Sequence, residues 1–157
     1  MRVERSVLIA APPQAVYDLT MDPQRLGDWV TIHERLVEAP PGRLEAGAQL
    51  VQRLRVAGWP FEVRWTVTVA DPLERVAWSG VGPMGTAAGV TYDLEAAGTD
   101  TLFCYANEFV LPGGVIGQLA GPAVAMAAGA ETERSLSRLK ALLEATAASP
   151  PPPAHPS

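Results

Sequence analysis

Cysteine and histidine are both scarce in this chain, and their scarcity limits the chemistry it can perform. Cys104 is the only cysteine, which excludes an internal disulfide and a thiolate-rich metal site. Of the two histidines, His155 lies close to the C-terminus, so His33 is left alone for chemistry. Neither a Ser-His-Asp triad nor a histidine metal site is predicted. We expect no metal and no cofactor.

An excess of positive charge and long apolar runs are also lacking. The 12 Lys and Arg residues against 17 Asp and Glu residues give a formal net charge of −5. This balance excludes the basic footprint of a nucleic-acid-binding protein. No apolar run approaches the roughly 18 residues of a membrane-spanning helix, and the first residues lack the apolar core of a signal peptide. The expectation is a soluble cytoplasmic protein without a nucleic-acid partner or an integral membrane segment.

Length and composition indicate one folded unit. The chain has 157 residues, of which 48% are hydrophobic and 18% are charged, which is ordinary for a single globular domain. Five prolines fall within the last eight residues, and no large apolar side chain accompanies them. We predict one domain over residues 1–148 and a disordered proline-rich tail over residues 149–157.

The pattern along the chain predicts an α+β protein. The interpretation places a strand first, then two short helices, six strands in a meander and a long helix, or two helices in line. The predicted strands cover residues 3–9, 33–38, 49–56, 61–69, 75–79, 87–94 and 101–110, the short helices cover residues 13–20 and 23–29, and the long helical part ends near Ser149.

Local signals support these assignments. Between Phe61 and Val69, apolar and polar residues alternate, which is typical of a strand with one buried face. Pro13 and Pro23 suit the first turn of a helix, and Asp22 suits the capping position before the second. Near the C-terminus, three leucines recur at helical spacing, namely Leu136, Leu139 and Leu143. Pro122 is expected to start the regular part of that helix or to kink it.

Three sequence strings carry a resemblance to a known superfamily. They span Ile9–Tyr17, Met21–Trp29 and Tyr105–Phe109. Together with the element order, over about residues 2–146, they resemble the helix-grip superfamily of START lipid-transfer domains, birch-pollen-allergen-like proteins and polyketide cyclase/dehydrase-like (SRPBCC) proteins. The resemblance implies a seven-stranded antiparallel sheet curled around a long C-terminal helix. It also implies a cavity for an apolar ligand between sheet and helix.

The distribution of large and small residues agrees with such a cavity. Eight of the ten aromatic residues fall between Trp59 and Phe109, on the predicted sheet. The helix that would face them carries small residues, which are Ala123, Ala127, Gly129 and Ala130. Large groups on one wall and small groups on the other either pack together or leave a hole. We predict a hole that accepts at least a small ring.

The predicted ligand-binding residues are mostly aromatic and lie on the inner strand faces or near the cavity mouth. Trp65 and Trp78 either stack on a flat ligand or fill the core. Asn107 is an amide among aromatic residues, so it needs a partner, which is a ligand, a buried water or the backbone. The full set is Trp29, His33, Trp65, Trp78, Tyr92, Phe103, Tyr105, Asn107 and Met126.

His33 and Tyr105 are the candidate catalytic residues. A histidine beside the cavity mouth suits general acid–base catalysis near neutral pH, although a partly exposed histidine at a strand start needs no such role. Arg53 and Arg55 share one face of a strand and are expected on the solvated side. An inward Arg53 would instead bind a carboxylate or an enolate.

Three functions follow, and the first is preferred because few ionisable residues fall on the predicted inner faces. The first is the binding of a small apolar molecule, lipid-like or polycyclic aromatic. The second is a polyketide cyclase or aromatase that uses His33 and a pocket tyrosine, Tyr105 or Tyr92, as acid and base. The third is a partner-binding protein with a closed cavity. The oligomeric state stays open between monomer and homodimer.

Overall fold

The protein is built from a seven-stranded antiparallel sheet, two short helices and one long helix. A computed structural model describes residues 2–56, 58–110 and 121–148, with side chains in the last segment described for residues 126–147. The elements are β1 (Arg2–Ile9), α1 (Pro13–Thr20), α2 (Leu26–Trp29), β2 (His33–Glu38), β3 (Gln49–Val56), β4 (Trp59–Asp71), β5 (Arg75–Val81), β6 (Ala87–Ala97), β7 (Asp100–Val110) and α3 (Gly121–Ala148). Single 3₁₀ turns precede α2 and β6, at Pro23–Arg25 and Pro83–Gly85.

The strand order in the sheet is β1-β7-β6-β5-β4-β3-β2, and every neighbouring pair is antiparallel. Strands β2 to β7 follow one another as a meander, because short connections join antiparallel neighbours directly. Strand β1 pairs with β7, so the first and last strands are adjacent. The curled sheet and the long C-terminal helix confirm the predicted helix-grip fold.

The helix starts follow the predicted chemistry. Pro13 opens α1, where a missing N–H leaves no hydrogen bond unmade. The Asp22 side chain accepts a hydrogen bond from the Gln24 backbone N–H at 3.0 Å, so it caps the next turn as predicted. The second helix differs from the prediction, because the Arg25 N–H bonds to the Asp22 carbonyl in a 3₁₀ pattern. Only the last four residues, Leu26–Trp29, are α-helical.

Strand β4 carries the predicted alternation and places its apolar side chains in the core. Val63, Trp65 and Val67 are each at most 3% exposed. A register irregularity against β5 follows Val67, and Val69 beyond it is only half-buried. The strand also begins earlier than predicted. Pro60 is tolerated there because β4 pairs with β5 only from Arg64 onward, so the first residues of the strand have one free edge.

Helix α3 packs its C-terminal half on the sheet as predicted. Leu136, Leu139 and Leu143 are buried in the main hydrophobic core. The helix begins at Gly121, so Pro122 lies in its first turn, as expected.

The small residues near the start of α3 that the structure describes differ from the prediction, because none of them lines the pocket over the tryptophans. Gly129 packs instead against β1, where a Cβ would lie 2.5 Å from Arg5 Nη2. The Arg5 guanidinium also donates a hydrogen bond to Glu133, with an Nε–Oε1 distance of 2.9 Å. Ala127 is exposed and Ala130 is half-buried. The side chain of Ala123 lies outside the described residues.

Two further predictions concern the proline-rich tail and membrane-spanning segments. The proposed tail at 149–157 lies outside the described residues. Within the described segments, no helix is both long and apolar enough to cross a lipid bilayer.

Two strand glycines allow a direct test of the packing. A Cβ added to Gly80 would lie 2.6 Å from Trp65 Cε3 and 2.7 Å from Val63 Cγ1. We expect Gly80→Ala to lower the free energy of unfolding by about 1–3 kcal/mol, because the Trp65 ring must shift. Gly89→Ala is the matched control, since its nearest neighbour would lie at 4.0 Å. Urea denaturation of both variants checks this, and equal stabilities would contradict the described position of Trp65.

Candidate functional site

The inner face of the sheet carries three successive rows of residues that run toward β7, the first from β4 and the other two from β5. Residues directly opposite each other on neighbouring strands share a face, so each row forms a continuous strip. The rows are Trp65, Gly80, Ala88 and Phe109, then Trp78, Val90 and Asn107, then Val76, Tyr92 and Tyr105. The rows place large aromatic groups around a few small residues near the centre of the sheet.

A pocket lies over these rows, beneath α2 and the loop that follows it. Its walls are uncharged side chains from the sheet and from the α2 region: Leu26, Val30, Ile32, Gln52, Leu54, Trp65, Trp78, Val90, Tyr92, Tyr105, Asn107 and Phe109. The free volume is about 40 Å³, which suits one water molecule. This differs from the prediction of a hole for a ring, because large side chains of the sheet and the α2 region enclose the free space.

Aromatic rings form the floor of the pocket. Tyr92 is the centre of the cluster, with its ring stacked on Tyr105 at 5.5 Å between centroids. Trp78 contacts Tyr92 edge-on at 5.9 Å, and Trp65 contacts Trp78 at the same distance. Edge-on and stacked contacts of this kind stabilise an aromatic core beyond its buried area. The cluster therefore forms a continuous aromatic floor.

The structure brings together most of the residues that the sequence singles out. Trp65, Trp78, Tyr92, Tyr105 and Asn107 line the pocket. That they contact a ligand stays a prediction.

Two predicted residues lie in a layer behind the lining. Trp29 contacts the rings of Tyr92 and Tyr105 edge-on, and Phe103 contacts Tyr92 at 5.4 Å. Both are at most 1% exposed. They support the floor without lining the free space.

The last two predicted residues, His33 and Met126, lie away from the free space. His33 is connected to the lining through Gln52. Met126 differs from the prediction, since its side chain is 76% exposed. The first buried side of α3 begins at Gly129, one turn later, so Met126 lies beyond the part of the helix that contacts the sheet.

A chain of hydrogen bonds joins the pocket to His33. Trp65 Nε1 donates to Gln52 Oε1 at 3.0 Å, and Gln52 Nε2 lies 2.9 Å from His33 Nδ1. An indole nitrogen can only donate, so it fixes the oxygen of the Gln52 amide toward Trp65. The amide nitrogen then faces His33, whose Nδ1 must accept. The neutral imidazole is therefore held with its proton on Nε2.

This arrangement disfavours a charged His33. Burial lowers the pKa of His33 below its ordinary value of 6.5. A proton on Nδ1 would also face the NH₂ group of Gln52. The ring edge lies against Gly27, where a Cβ would come within 3.2 Å of His33 Cδ2. His33 is thus a positioned neutral group whose proton-accepting nitrogen is already occupied.

The two tyrosine hydroxyls at the pocket are held in their neutral form. Burial raises the pKa of Tyr92 well above its usual range, and the nearby Tyr105 adds to the effect. Burial also raises the pKa of Tyr105, partly offset by a side-chain hydrogen bond with Asn107. At neutral pH both groups are able to donate a proton in a hydrogen bond, and neither acts as a base.

Three buried polar atoms have no hydrogen-bond partner within the described part of the chain: Trp29 Nε1, Trp78 Nε1 and Asn107 Oδ1. A buried group left without a partner costs free energy, so native proteins keep few of them. Trp78 and Asn107 belong to the same cross-strand row and flank Val90. Both residues line the pocket, so its wall contains one donor and one acceptor without a described partner.

The loop that covers the pocket is fastened to α3 by one hydrogen-bonded cluster. Thr31 Oγ1 lies 2.6 Å from Glu131 Oε2 and 3.1 Å from Ser135 Oγ. The Thr31 backbone N–H donates to Ser135 Oγ at 3.0 Å. Val30 and Ile32, the neighbours of Thr31, line the pocket. Movement of this loop would therefore change the size of the free space.

The arginines considered as possible ligand-binding groups lie outside the pocket. Arg53 and Arg55 both pair with Glu34 on the outer face of the sheet, which confirms their predicted position.

A wider surface groove of about 700 Å³ is open to solvent. Its Arg43 is already engaged by Asp18 at 2.6 Å and by the Tyr17 ring, so this groove presents no free cation to a ligand. Among the described residues, no group of three His, Cys, Asp or Glu side chains is placed to hold a metal ion.

Sequence reasoning missed Gln52 and Thr31. Gln52 lies between Leu50 and Leu54 on the inner face of β3 and is only 4% exposed. The alternation that singled out Asn107 also points Gln52 inward, so the signal was present. Thr31 carries no such signal, because its partners Glu131 and Ser135 are set by where α3 crosses the loop.

A curled antiparallel sheet that packs around a C-terminal helix, with an apolar pocket on its inner face, defines the helix-grip class. The chain belongs to the family described as polyketide cyclase/dehydrase and lipid transport, whose profile matches residues 1–144. An uncharacterized protein of Mycobacterium tuberculosis is 37% identical over 93 residues, which is 59% of this chain and 65% of that relative. The chain thus covers less than two thirds of the length of the curated relatives that it matches.

Solved structures agree on the fold. The Zhui aromatase/cyclase from Streptomyces sp. R1128 superposes with a TM-score of 0.77 at 16% identity, covering 95% of this chain and 96% of that one. A START superfamily protein from Mycobacterium smegmatis gives a TM-score of 0.72 at 18% identity, covering 92% of this chain and 98% of that one. At these identities the similarity establishes the shared fold.

The lowered pKa of His33 predicts how stability depends on pH. The unfolded chain binds the proton near pH 6.5 and the folded chain only at lower pH, so stability falls as the pH drops through this range. The pKa values of Glu34 and Glu144 are lowered from 4.5, chiefly by hydrogen bonds from Arg55 and Lys140. These two groups therefore change the stability only at more acidic pH. Urea unfolding between about pH 7.5 and about pH 5.5 measures the loss.

Two variants isolate this effect. His33→Gln should remove the loss in that range. Gln52→Glu should invert it, because a carboxylate beside the imidazole favours its protonated form. An unchanged pH dependence in both variants would contradict the role of His33.

Proposed function

We propose that this chain binds a small apolar molecule in the pocket between the inner face of the sheet and the α2 region. The observation that carries the proposal is the lining itself. All described side chains that line the pocket are uncharged, and most are aromatic or aliphatic, with a few polar atoms among them. Binding sites for small molecules share this composition, in which apolar walls supply affinity and a few polar groups fix orientation.

The pocket must widen to admit such a molecule. Its free volume is about 40 Å³, whereas a cavity that binds benzene measures about 150 Å³. The loop at Val30–Ile32 is the wall best placed to move, because the hydrogen bonds of Thr31 to Glu131 and Ser135 are its described attachment to α3. A ligand would stabilise the open arrangement by mass action.

A cyclase or aromatase is the second candidate. Two tyrosines, Tyr92 and Tyr105, line the pocket, and a tyrosine hydroxyl that reaches the ligand could polarise a carbonyl group. The proposed partner base is less well placed, because His33 directs Nδ1 at Gln52. Proton abstraction at a carbon needs a group able to accept a proton, so the geometry favours binding over catalysis.

A third candidate is a partner-binding protein with a closed cavity, and the small free volume of the pocket is the observation in its support. The binding experiment below distinguishes it, since a closed cavity takes up no probe. The cytoplasmic location and the choice between monomer and homodimer stay predictions from the sequence.

A neutral apolar dye tests the proposal. We expect Nile red to bind with a dissociation constant in roughly the micromolar range and to fluoresce more strongly in the pocket. Ile32→Trp should weaken binding at least about tenfold, because the larger side chain occupies the free space beneath the loop. Fluorescence titration measures both affinities.

Val37→Trp is the matched control, because Val37 is 38% exposed and lies outside the pocket lining. Near-ultraviolet circular dichroism verifies that each variant keeps its tertiary packing. Absence of dye binding, or equal weakening by both substitutions, would rule out binding in this pocket.

A further inference from the structure

We infer that the pocket selects a neutral molecule with a hydroxyl group on an apolar body, which is bound between Asn107 and Trp78. This inference rests on the proposed function and names the chemical class of its ligand. It follows from the hydrogen-bonding capacity that remains at the pocket after every described partner has been assigned.

The Asn107 side chain presents a fixed acceptor. Thr132 Oγ1 donates to the Ala128 carbonyl at 2.9 Å, so its lone pairs face Asn107. Asn107 Nδ2 donates to that oxygen at 3.2 Å, which sets the orientation of the amide. Asn107 Oδ1 is then buried and without a partner in the described structure. A ligand that carries a donor satisfies it, as does a water molecule.

The Trp78 side chain presents a fixed donor. Its indole is 4% exposed, and Nε1 has no acceptor within the described residues. Trp65 offers no equivalent group, because its Nε1 is already bonded to Gln52. Trp78 and Asn107 belong to one cross-strand row with Val90 between them. A hydroxyl group is able to accept from an indole N–H and also to donate to an amide oxygen, so it matches the chemistry of both atoms.

The lining argues against an anionic ligand. None of the described lining residues carries a charge, and Arg53 and Arg55 pair with Glu34 on the outer face. A buried carboxylate without a cation or several donors is costly, and it cannot donate to Asn107. An ether or a ketone accepts from Trp78 but leaves Asn107 unsatisfied.

Four compounds of similar size, naphthalene and three of its derivatives, test this inference at about neutral pH by isothermal titration calorimetry. They are naphthalene, 2-methoxynaphthalene, 2-naphthol and 2-naphthoate. We expect 2-naphthol to bind about tenfold more tightly than 2-methoxynaphthalene, which is the effect of one buried hydrogen bond. The carboxylate should bind most weakly.

Two variants assign the effect to its residues. Asn107→Leu should abolish the preference for 2-naphthol over 2-methoxynaphthalene, and Trp78→Phe should weaken both of these ligands while leaving naphthalene unchanged. Trp59→Phe is the control, because Trp59 is 77% exposed and is not part of the pocket. Retained naphthalene affinity shows that a variant keeps its pocket.

The results distinguish a failure of the inference about the ligand class from a failure of the proposed function. If naphthalene binds in the pocket but the hydroxyl group brings no preference, or the carboxylate binds most tightly, the inference about the ligand class is overturned and the proposed function remains. If none of the four compounds binds, the proposed function fails and the inference fails with it.

Discussion

The indole of Trp65 lies across the backbone of Gly80, and much of the site depends on this close approach. Only a residue without a Cβ leaves room for the ring, whose carbons would lie 2.6 Å and 2.8 Å from one. In this position Trp65 contacts Trp78, which contacts Tyr92, so the aromatic floor is continuous. The same position directs the indole nitrogen at Gln52, and through it determines the tautomer of His33. One glycine on β5 therefore leaves room for the ring that joins the aromatic floor to the hydrogen bonds of His33.

Helix α3 has two roles that lie on different parts of its length. Its leucines at 136, 139 and 143 complete the hydrophobic core and hold the helix on the sheet. Ahead of them, Glu131, Thr132 and Ser135 form hydrogen bonds to Thr31 on the covering loop and to Asn107 on β7. Apolar contacts are not directional, whereas these hydrogen bonds fix the orientation of single side chains. The polar turn of the helix therefore orients residues at the pocket, and the apolar turns secure the fold.

Most of the fold could be predicted from the sequence because its signals are local. Alternation along β4, the prolines and Asp22 at helix starts, and the leucine spacing in α3 each depend on neighbours within a few residues. The inward side chains Trp65, Trp78, Tyr92 and Asn107 could be predicted from the same alternation. The packing of Gly129 on Arg5 and the exposure of Met126 could not, because they depend on where α3 meets β1. For the same reason the predicted volume was wrong: periodicity assigns side chains to a face and does not give the room left between them.

The uncharged lining also affects how a ligand would reach the pocket. Charged groups near a binding site attract oppositely charged ligands over distances of about 10 Å, and this attraction weakens as salt is added. The ion pairs described here are at least partly exposed to solvent, and several of them join neighbouring residues, so little of their field is directed into the pocket. Capture of an uncharged molecule would then be governed by diffusion and by how often the covering loop opens, at a rate that ionic strength hardly alters.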